Sequence, residues 1–358
     1  MNTNRVNSMI TIKDVSKRSG YSITTVSKAL NNYTDISTST KQKILDLCEE
    51  MGYVPNISAR SLVTQKSWTI GVIFQEVTGV GLQHPLFSKI LESFKSVVEA
   101  QGYDIMFLSN SMGTQNGGYY EHSKRKQVEG VLVLCGEFGS DEMEQLYKGD
   151  IPTLLIDFEH AGVSQVTSNN LQGVDRAIKY FKELGHKKIA NIYGGEYLYI
   201  GGWRKLAFEK ALKKYKLELN EDYQVSGEFF SKESGYQAMK QLMKLKDQPT
   251  AIFCASDMIA IGAIQAIKET GKSVPEDYSL IGFDGIDVGQ MINPRLTTIK
   301  QDTEKMGKIA ANQILQMISD KKKRRVTETI TVDTYLVNGE TTRIYIEKND
   351  ENEINQRV

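Results

Sequence analysis

Long apolar runs, histidine and cysteine are all scarce in this 358-residue chain, and each scarcity closes a functional class. No apolar stretch reaches the roughly 20 residues needed to span a bilayer. The beginning, MNTNRVNSMITIKDV, lacks the apolar core of about 7–15 residues that marks a secretory signal. A cytoplasmic protein is the expectation. The four histidines, His84, His122, His160 and His186, show no metal-ligand spacing with cysteine or with each other, so no metal is expected. The three cysteines, Cys48, Cys135 and Cys254, are far apart in sequence and suit buried positions in a reducing compartment. A Walker A sequence is missing. The segment Gly79-Val-Gly81-Leu-Gln-His84 imitates the start of a dinucleotide fingerprint, but His84 stands where the third glycine belongs. With no catalytic constellation assembled, neither an enzyme nor a cofactor is expected. The net charge of zero argues against a nonspecific polycation.

What is present begins at residue 11. Thr11-Ile-Lys-Asp14 has the form of a capping box, Ile12 and Val15 supply an apolar face, and Gly20 stops the run. Ser22 is placed to cap a second helix, SITTVSKALN. On it Val26, Ala29 and Leu30 share one stripe, while Thr24, Ser27, Lys28 and Asn31 share the opposite one. The polar stripe is short, uncharged or positive, and rich in groups that donate and accept hydrogen bonds. Such a surface suits a helix lying in a DNA major groove. A third helix is expected from about Lys41 to Met51, opened by a Ser39/Gln42 box and lined by Ile44, Leu47, Cys48 and Met51. Together these make a helix-turn-helix module; the competing reading is a generic helical bundle. Charge favours DNA: residues 1–66 hold nine Lys/Arg against five acids, so the head is about +4 and the remainder about −4.

From Trp68 the period changes. Short apolar runs, WTIGVIF (68–74), YDIMFLS (103–109), GVLVLC (130–135) and PTLLID (152–157), alternate with helical stretches such as 86–101. A second series follows a helix from Asn170: KIANIYG (188–194), helix 203–216, AIFCAS (251–256), helix 258–270 and SLIGFD (279–284). This predicts an α/β domain with parallel sheets covered on both faces. About 280 residues are too many for one comfortable core, so two lobes are expected, with ligand at the carboxyl ends of strands.

The runs IKDVSKRSGYSITTVSKALN and TKQKILDLCEEMGYVPNISARSLV closely resemble the DNA-binding head of the lactose/galactose repressor (LacI/GalR) family. The likeness extends to about residue 346. It implies a helix-turn-helix head (1–54), a hinge helix and linker (55–67), a two-lobed periplasmic-binding-protein-like effector and dimerisation domain (68–346) and a polar tail (347–358). Lobe 1 would comprise about 68–160 and 300–327, and lobe 2 about 168–288 and 330–346. The chain would cross between lobes near 158–169, 286–300 and 326–332. Function follows as an expectation: a transcriptional regulator, a repressor, whose affinity for double-stranded operator DNA is controlled by a small-molecule effector.

Position by position, the resemblance puts Ile23, Thr24 and Lys28 at base edges, with Thr11, Thr25, Ser27, Asn31 and Asn56 nearer phosphates. Arg60 and Leu62 lie in the AR-SL element, where Leu62 matches a wedge pushed into the minor groove; alternatively it is an ordinary linker leucine. Ile23 replaces a residue that is often polar in relatives, suggesting contact with a thymine methyl. In the effector domain Asp284 and Arg204 match the family's effector-binding aspartate and arginine. Phe87, in HPLF, is a candidate stacking platform, or simply core. Weaker candidates are Gln75, Glu76, His84, which replaces the usual asparagine, and Ser256 and Asp257, with Asp257 read preferentially as a helix cap. The family implies a sugar or sugar phosphate, with nucleobases a minority. An exported receptor would need the missing signal. The tail EKNDENEINQRV has no leucine heptad, so a homodimer is expected rather than a four-helix tetramer. The basic run Lys321–Arg325 reads as solvent-facing surface after a helix.

Overall fold

The computed structural model describes residues 10–31, 33–54, 66–74, 81–109, 111–112, 115–134, 141–195, 199–228, 230–320 and 327–346. The chain divides into two units, residues 1–67 and 68–358.

The first unit is the helical head. Helix α1 (Ile12–Ser19) opens on a box in which the Asp14 carboxylate accepts from the Thr11 backbone N–H at 2.9 Å and its hydroxyl at 2.7 Å. Those bonds hold the Asp14 carboxyl below its ordinary value. Gly20 ends the helix at φ 75°, a conformation costly for any side chain. Helix α2 (Ile23–Leu30) is capped by Ser22, which accepts from Thr25 N–H at 3.1 Å. Helix α3 runs Thr38–Met51, three residues longer at its start than the sequence suggested. Ser37, not Ser39, caps it by accepting from Thr40 N–H, and Gln42 instead donates to Asp46 one turn on. Val15, Val26, Ala29, Ile44 and Cys48 form the core, flanked by Ile12, Tyr21, Leu30 and Met51.

The second unit contains two six-stranded sheets. The chain supplies β1 (Thr69–Phe74), α4 (Pro85–Ala100), β2 (Asp104–Phe107), a two-strand ladder of β3 (Ser111–Met112) and β4 (Gln115–Asn116), and α5 (Gly118–Arg125). There follow β5 (Gly130–Leu134), α6 (Asp141–Lys148), β6 (Thr153–Ile156), β7 (Ser164–Ser168) and α7 (Asn170–Glu183). Next come β8 (Ile189–Tyr193), α8 (Tyr199–Tyr215), β9 (Gln224–Ser226), α9 (Lys232–Leu242), β10 (Ala251–Cys254), α10 (Asp257–Glu269) and β11 (Ser279–Asp284). The last are α11 (Asp287–Met291), β12 (Thr298–Gln301), α12 (Thr303–Ser319), β13 (Thr329–Val332) and β14 (Thr334–Val337). One sheet has the order β13-β7-β6-β5-β1-β2, all parallel. The other runs β14-β12-β11-β10-β8-β9 and is parallel except for its antiparallel edge strand β14.

Central strands such as GVLVL and AIFC are buried at every residue, as a sheet with two covered faces requires. Helix α4 buries Leu86, Ile90, Phe94 and Val98, one stripe at four-residue spacing, and packs on α12. The approach is so close that a Cβ on Gly307 would fall 2.4 Å from the Ile90 carbonyl.

The lobe crossings differ from expectation. Strands β7 and β13 belong to the first sheet and β12 to the second, so the chain passes between lobes at 168–170, 301–303 and 332–334. The second crossing therefore lies beyond the expected 286–300, the first and third fall at the far ends of the expected 158–169 and 326–332, and the lobe boundaries move with them. Among the described residues no helix is long and apolar enough to cross a membrane.

Candidate functional site

Helix α2 carries the first site. Ile23 is 44% exposed and Thr24 is exposed, both on its first turn. Thr25 is half-buried and shares a 2.8 Å hydroxyl contact with the capping Ser22. Asn31 donates to the Ser27 carbonyl at 2.8 Å, tying the two expected polar contacts into the helix end. Lys28 forms an ion pair with Asp35 in the turn after the helix, a partner that sequence spacing did not suggest. Thr11 caps α1. Asn56, Arg60 and Leu62 lie outside the described residues, as do Gln75, Glu76 and the Lys321–Arg325 run.

The second site lies between the lobes, at the carboxyl ends of strands. Asp284 ends β11, Asp157 follows β6, Gln301 ends β12 and Ser168 ends β7; all four are buried. Both acids take left-handed backbone, φ 121° at Asp284 and 56° at Asp157, a strain of about 1–3 kcal/mol each that surrounding contacts must hold. Arg204, from α8, is only 3% exposed. Its Nε donates to Asn170 Oδ1 at 2.9 Å, and its Nη1 to the Ala255 carbonyl at 2.5 Å and to Asp284 Oδ1 at 3.4 Å. Its guanidinium carbon lies 3.7 Å from the centroid of the Phe283 ring, so an aromatic face backs the charge.

Gln301 Nε2 donates to the same Asp284 oxygen at 2.7 Å, while Ser168 Oγ donates to Gln301 Oε1 at 2.5 Å. Asn170 Nδ2 donates to the Ser168 carbonyl at 3.0 Å. The bonds close a ring: Ser168, Gln301, Asp284, Arg204, Asn170 and back to Ser168. Two of its corners are the segments through which the chain changes lobes. Asp157 accepts from Ser168 N–H at 3.0 Å and from Thr167 Oγ1 at 3.1 Å, tying β6 to the same corner.

Three buried carboxyls face one buried guanidinium. Burial pushes Asp284 up to about 6, with Arg204 pulling it back. Asp157 is raised by burial against the pull of the Ser168 N–H and of Arg204. Asp257 is raised well above its ordinary value by burial and by the neighbouring Asp284 charge. Burial lowers Arg204, and Asp284 and Asp157 oppose the shift.

Asp257 is not the helix cap. Ser256 holds that place, accepting from Ile259 N–H at 3.1 Å, and its hydroxyl lies 3.4 Å from the Phe230 carbonyl. Asp257 is fully buried and instead accepts from Ile286 N–H at 2.8 Å and Thr298 Oγ1 at 2.5 Å, pinning the loop after Asp284. Being first in a helix, it had the right residue type for a cap; only the approach of β12 reveals its other task. Phe87 is half-buried on the first lobe, with Phe74 edge-on at 5.8 Å and His84 at 4.7 Å. Across the lobes, Lys89 of α4 pairs with Asp287 of α11 at 2.6 Å, and Tyr199 donates to Glu159 at 2.8 Å.

Asp157 and Gln301 were missed from sequence. PTLLID ends in an acid just as SLIGFD does, and that repetition was the available signal for Asp157. Gln301 had none, because TIKQ is too short and mixed to read as a strand.

A helix-turn-helix head joined to a two-lobed, parallel-sheet receptor defines a ligand-responsive DNA-binding regulator. Residues 11–56 match the model for bacterial regulatory proteins of the lacI family, and residues 178–342 match the periplasmic binding protein-like domain. The chain is 35% identical to the probable HTH-type transcriptional repressor ExuR of Bacillus subtilis, covering 87% of this chain and 92% of that one. It is 34% identical to the HTH-type transcriptional repressor PurR of Erwinia tasmaniensis, over 91% and 94%. Among solved structures it matches the Lac repressor dimer bound to operator and the anti-inducer ONPF, with TM-score 0.80 and 25% identity over 94% of this chain and 100% of that one. It also matches a LacI family transcriptional regulator from Enterococcus faecium with bound ribose, TM-score 0.65 and 26% identity, over 78% and 100%. The chain belongs to the lacI family of DNA-binding transcriptional repressors.

Proposed function

We propose that the chain acts in the cytoplasm as a homodimeric repressor on a pseudo-palindromic operator, one α2 helix per half-site. We further propose that a sugar or sugar phosphate held between its lobes sets operator affinity. The closed ring through Asp284 and Arg204 carries the effector half of this reading. A carboxylate and a planar guanidinium, both buried, suit the hydroxyl groups of a polyol. Because the same hydrogen bonds include Ser168 and Gln301 at lobe crossings, a ligand that replaces any of them biases lobe closure. Coupling of about 1–3 kcal/mol changes operator occupancy several-fold or more. The ribose complex of the Enterococcus faecium regulator supports a carbohydrate. The Lac repressor, bound to its operator as a dimer, supports the pairing of heads, since symmetric dimers read paired half-sites.

Footprinting of the full chain on its own upstream DNA, with a panel of sugars, sugar phosphates and nucleobases, tests the reading. A symmetric protected site altered by one carbohydrate supports it; a response to a nucleobase alone overturns the carbohydrate assignment. Asp284→Ala should retain the footprint and lose the response. Leu62→Ala should weaken specific binding while leaving salt-dependent nonspecific binding in place; equal loss of both removes the wedge.

A further inference from the structure

The Lys28–Asp35 ion pair is the only ion pair among the described residues that engages a side chain of the polar stripe on α2. Lys28 is the only charged residue of that stripe, and Asp35 sits seven residues on, in the turn leading to α3. Both side chains are substantially exposed, 39% and 54%, so the pair lies at the surface of the head, beside the polar stripe, rather than inside it. An exposed pair of this kind adds at most about 1 kcal/mol to folding. Stability is therefore a poor reason for a carboxylate at that place, and toward a polyanion it is a liability: each acid near phosphate weakens nonspecific attraction.

We propose that Asp35 is a specificity-determining residue, which holds the Lys28 ammonium so that it reaches base edges and does not serve as a general phosphate clamp. A lysine has four rotatable bonds and a point charge, so alone it settles on whichever anion is nearest. Fixed by Asp35 to one side, its remaining N–H donors aim at groove acceptors such as guanine O6 and N7. On nonspecific DNA the carboxylate competes with phosphate for the same ammonium and lowers affinity for every wrong sequence. Discrimination rises because the wrong complexes weaken more than the right one. The inference rests on α2 being the recognition helix.

The test uses the full chain and a pool of duplexes with a randomised core of about 18 base pairs. Wild type, Asp35→Asn, Lys28→Ala, the double variant and Thr24→Ala are each put through selection, then titrated against a scrambled duplex. Asp35 makes no described hydrogen bond or ion pair besides that with Lys28, and the substitution is isosteric, so Asp35→Asn folds; its melting curve checks this. Asp35→Asn should bind the scrambled duplex about three- to tenfold more tightly and lose base preference at one or two positions per half-site. In the Lys28→Ala background the same substitution should leave base preference unchanged and strengthen binding to the scrambled duplex clearly less than in wild type, by the loss of one negative charge alone, since the rest of the effect runs through the lysine. A base preference unaltered by Asp35→Asn, or an Asp35 effect undiminished without Lys28, overturns the proposal. Thr24→Ala separates the two failures. If it shifts the selected bases while Asp35→Asn does not, the recognition helix stands and the role of Asp35 falls. No shift in either removes both.

Discussion

Replacing Arg204 by alanine is the most informative perturbation of the effector domain. The side chain is buried, and its loss strands the Asn170 carbonyl, the Ala255 carbonyl and, above all, the Asp284 carboxylate. Breaking a buried ion pair from one side costs about 3–5 kcal/mol, because the remaining charge is uncompensated. For a domain of this size that corresponds to a fall in Tm of roughly 10 °C. The penalty should depend on pH, and the direction follows from Asp284. Its folded pKa, about 6, lies above that of an unfolded aspartate, so the native state holds extra proton between about pH 4 and 6. Stability from this group accordingly declines as pH rises through that window. Without the guanidinium the carboxyl rises further, so the variant suffers fully at about pH 8 and is partly relieved at about pH 5, where Asp284 is protonated. Thermal unfolding of wild type and Arg204→Ala at those two values measures both effects. A loss under about 1 kcal/mol, or one equal at the two pH values, would refute the reasoning.

Three further outcomes follow from named contacts. His186 is buried, with Thr250 at 2.9 Å and Ser279 at 3.1 Å, and burial pushes it down to about 4. Its unfolded form takes a proton first, so its contribution of about 3 kcal/mol is complete above pH 6.5 and lost as pH falls towards 4. His186→Gln should flatten that slope in urea titrations, and an unchanged slope would contradict the assignment. Ser22→Ala should cost about 1 kcal/mol by uncapping α2. It would be seen as faster amide exchange in that helix on the full chain, and unaltered exchange would count against the cap. Gly262→Ala should destabilise by about 1–3 kcal/mol, since the new Cβ falls 1.9 Å from the Lys232 carbonyl where α9 crosses α10; a change within about 0.5 kcal/mol would show that the helices can part.

The sequence by itself determined whatever depends on neighbours along the chain. The box at Thr11 and Asp14, the stop at Gly20 and the cap at Ser22 are local hydrogen-bonding and backbone preferences. The central strands were legible because burial on both faces demands uninterrupted apolar runs, and Asp284 stood out as an acid closing one of them. Strands β12 and β13 were not, since TIKQ and TITV are short and mixed, and only pairing with β11 and β7 makes them strands. That pairing moved the lobe crossings and brought Gln301 to Asp284. The task of Asp257 was likewise decided in three dimensions, where the Ile286 N–H and Thr298 of β12 meet its carboxylate and leave the cap to Ser256. Tertiary structure alone joined Asp157, Ser168, Asn170, Arg204, Asp284 and Gln301 into one buried site, because hydrogen bonds between residues far apart in sequence leave no period or spacing to read.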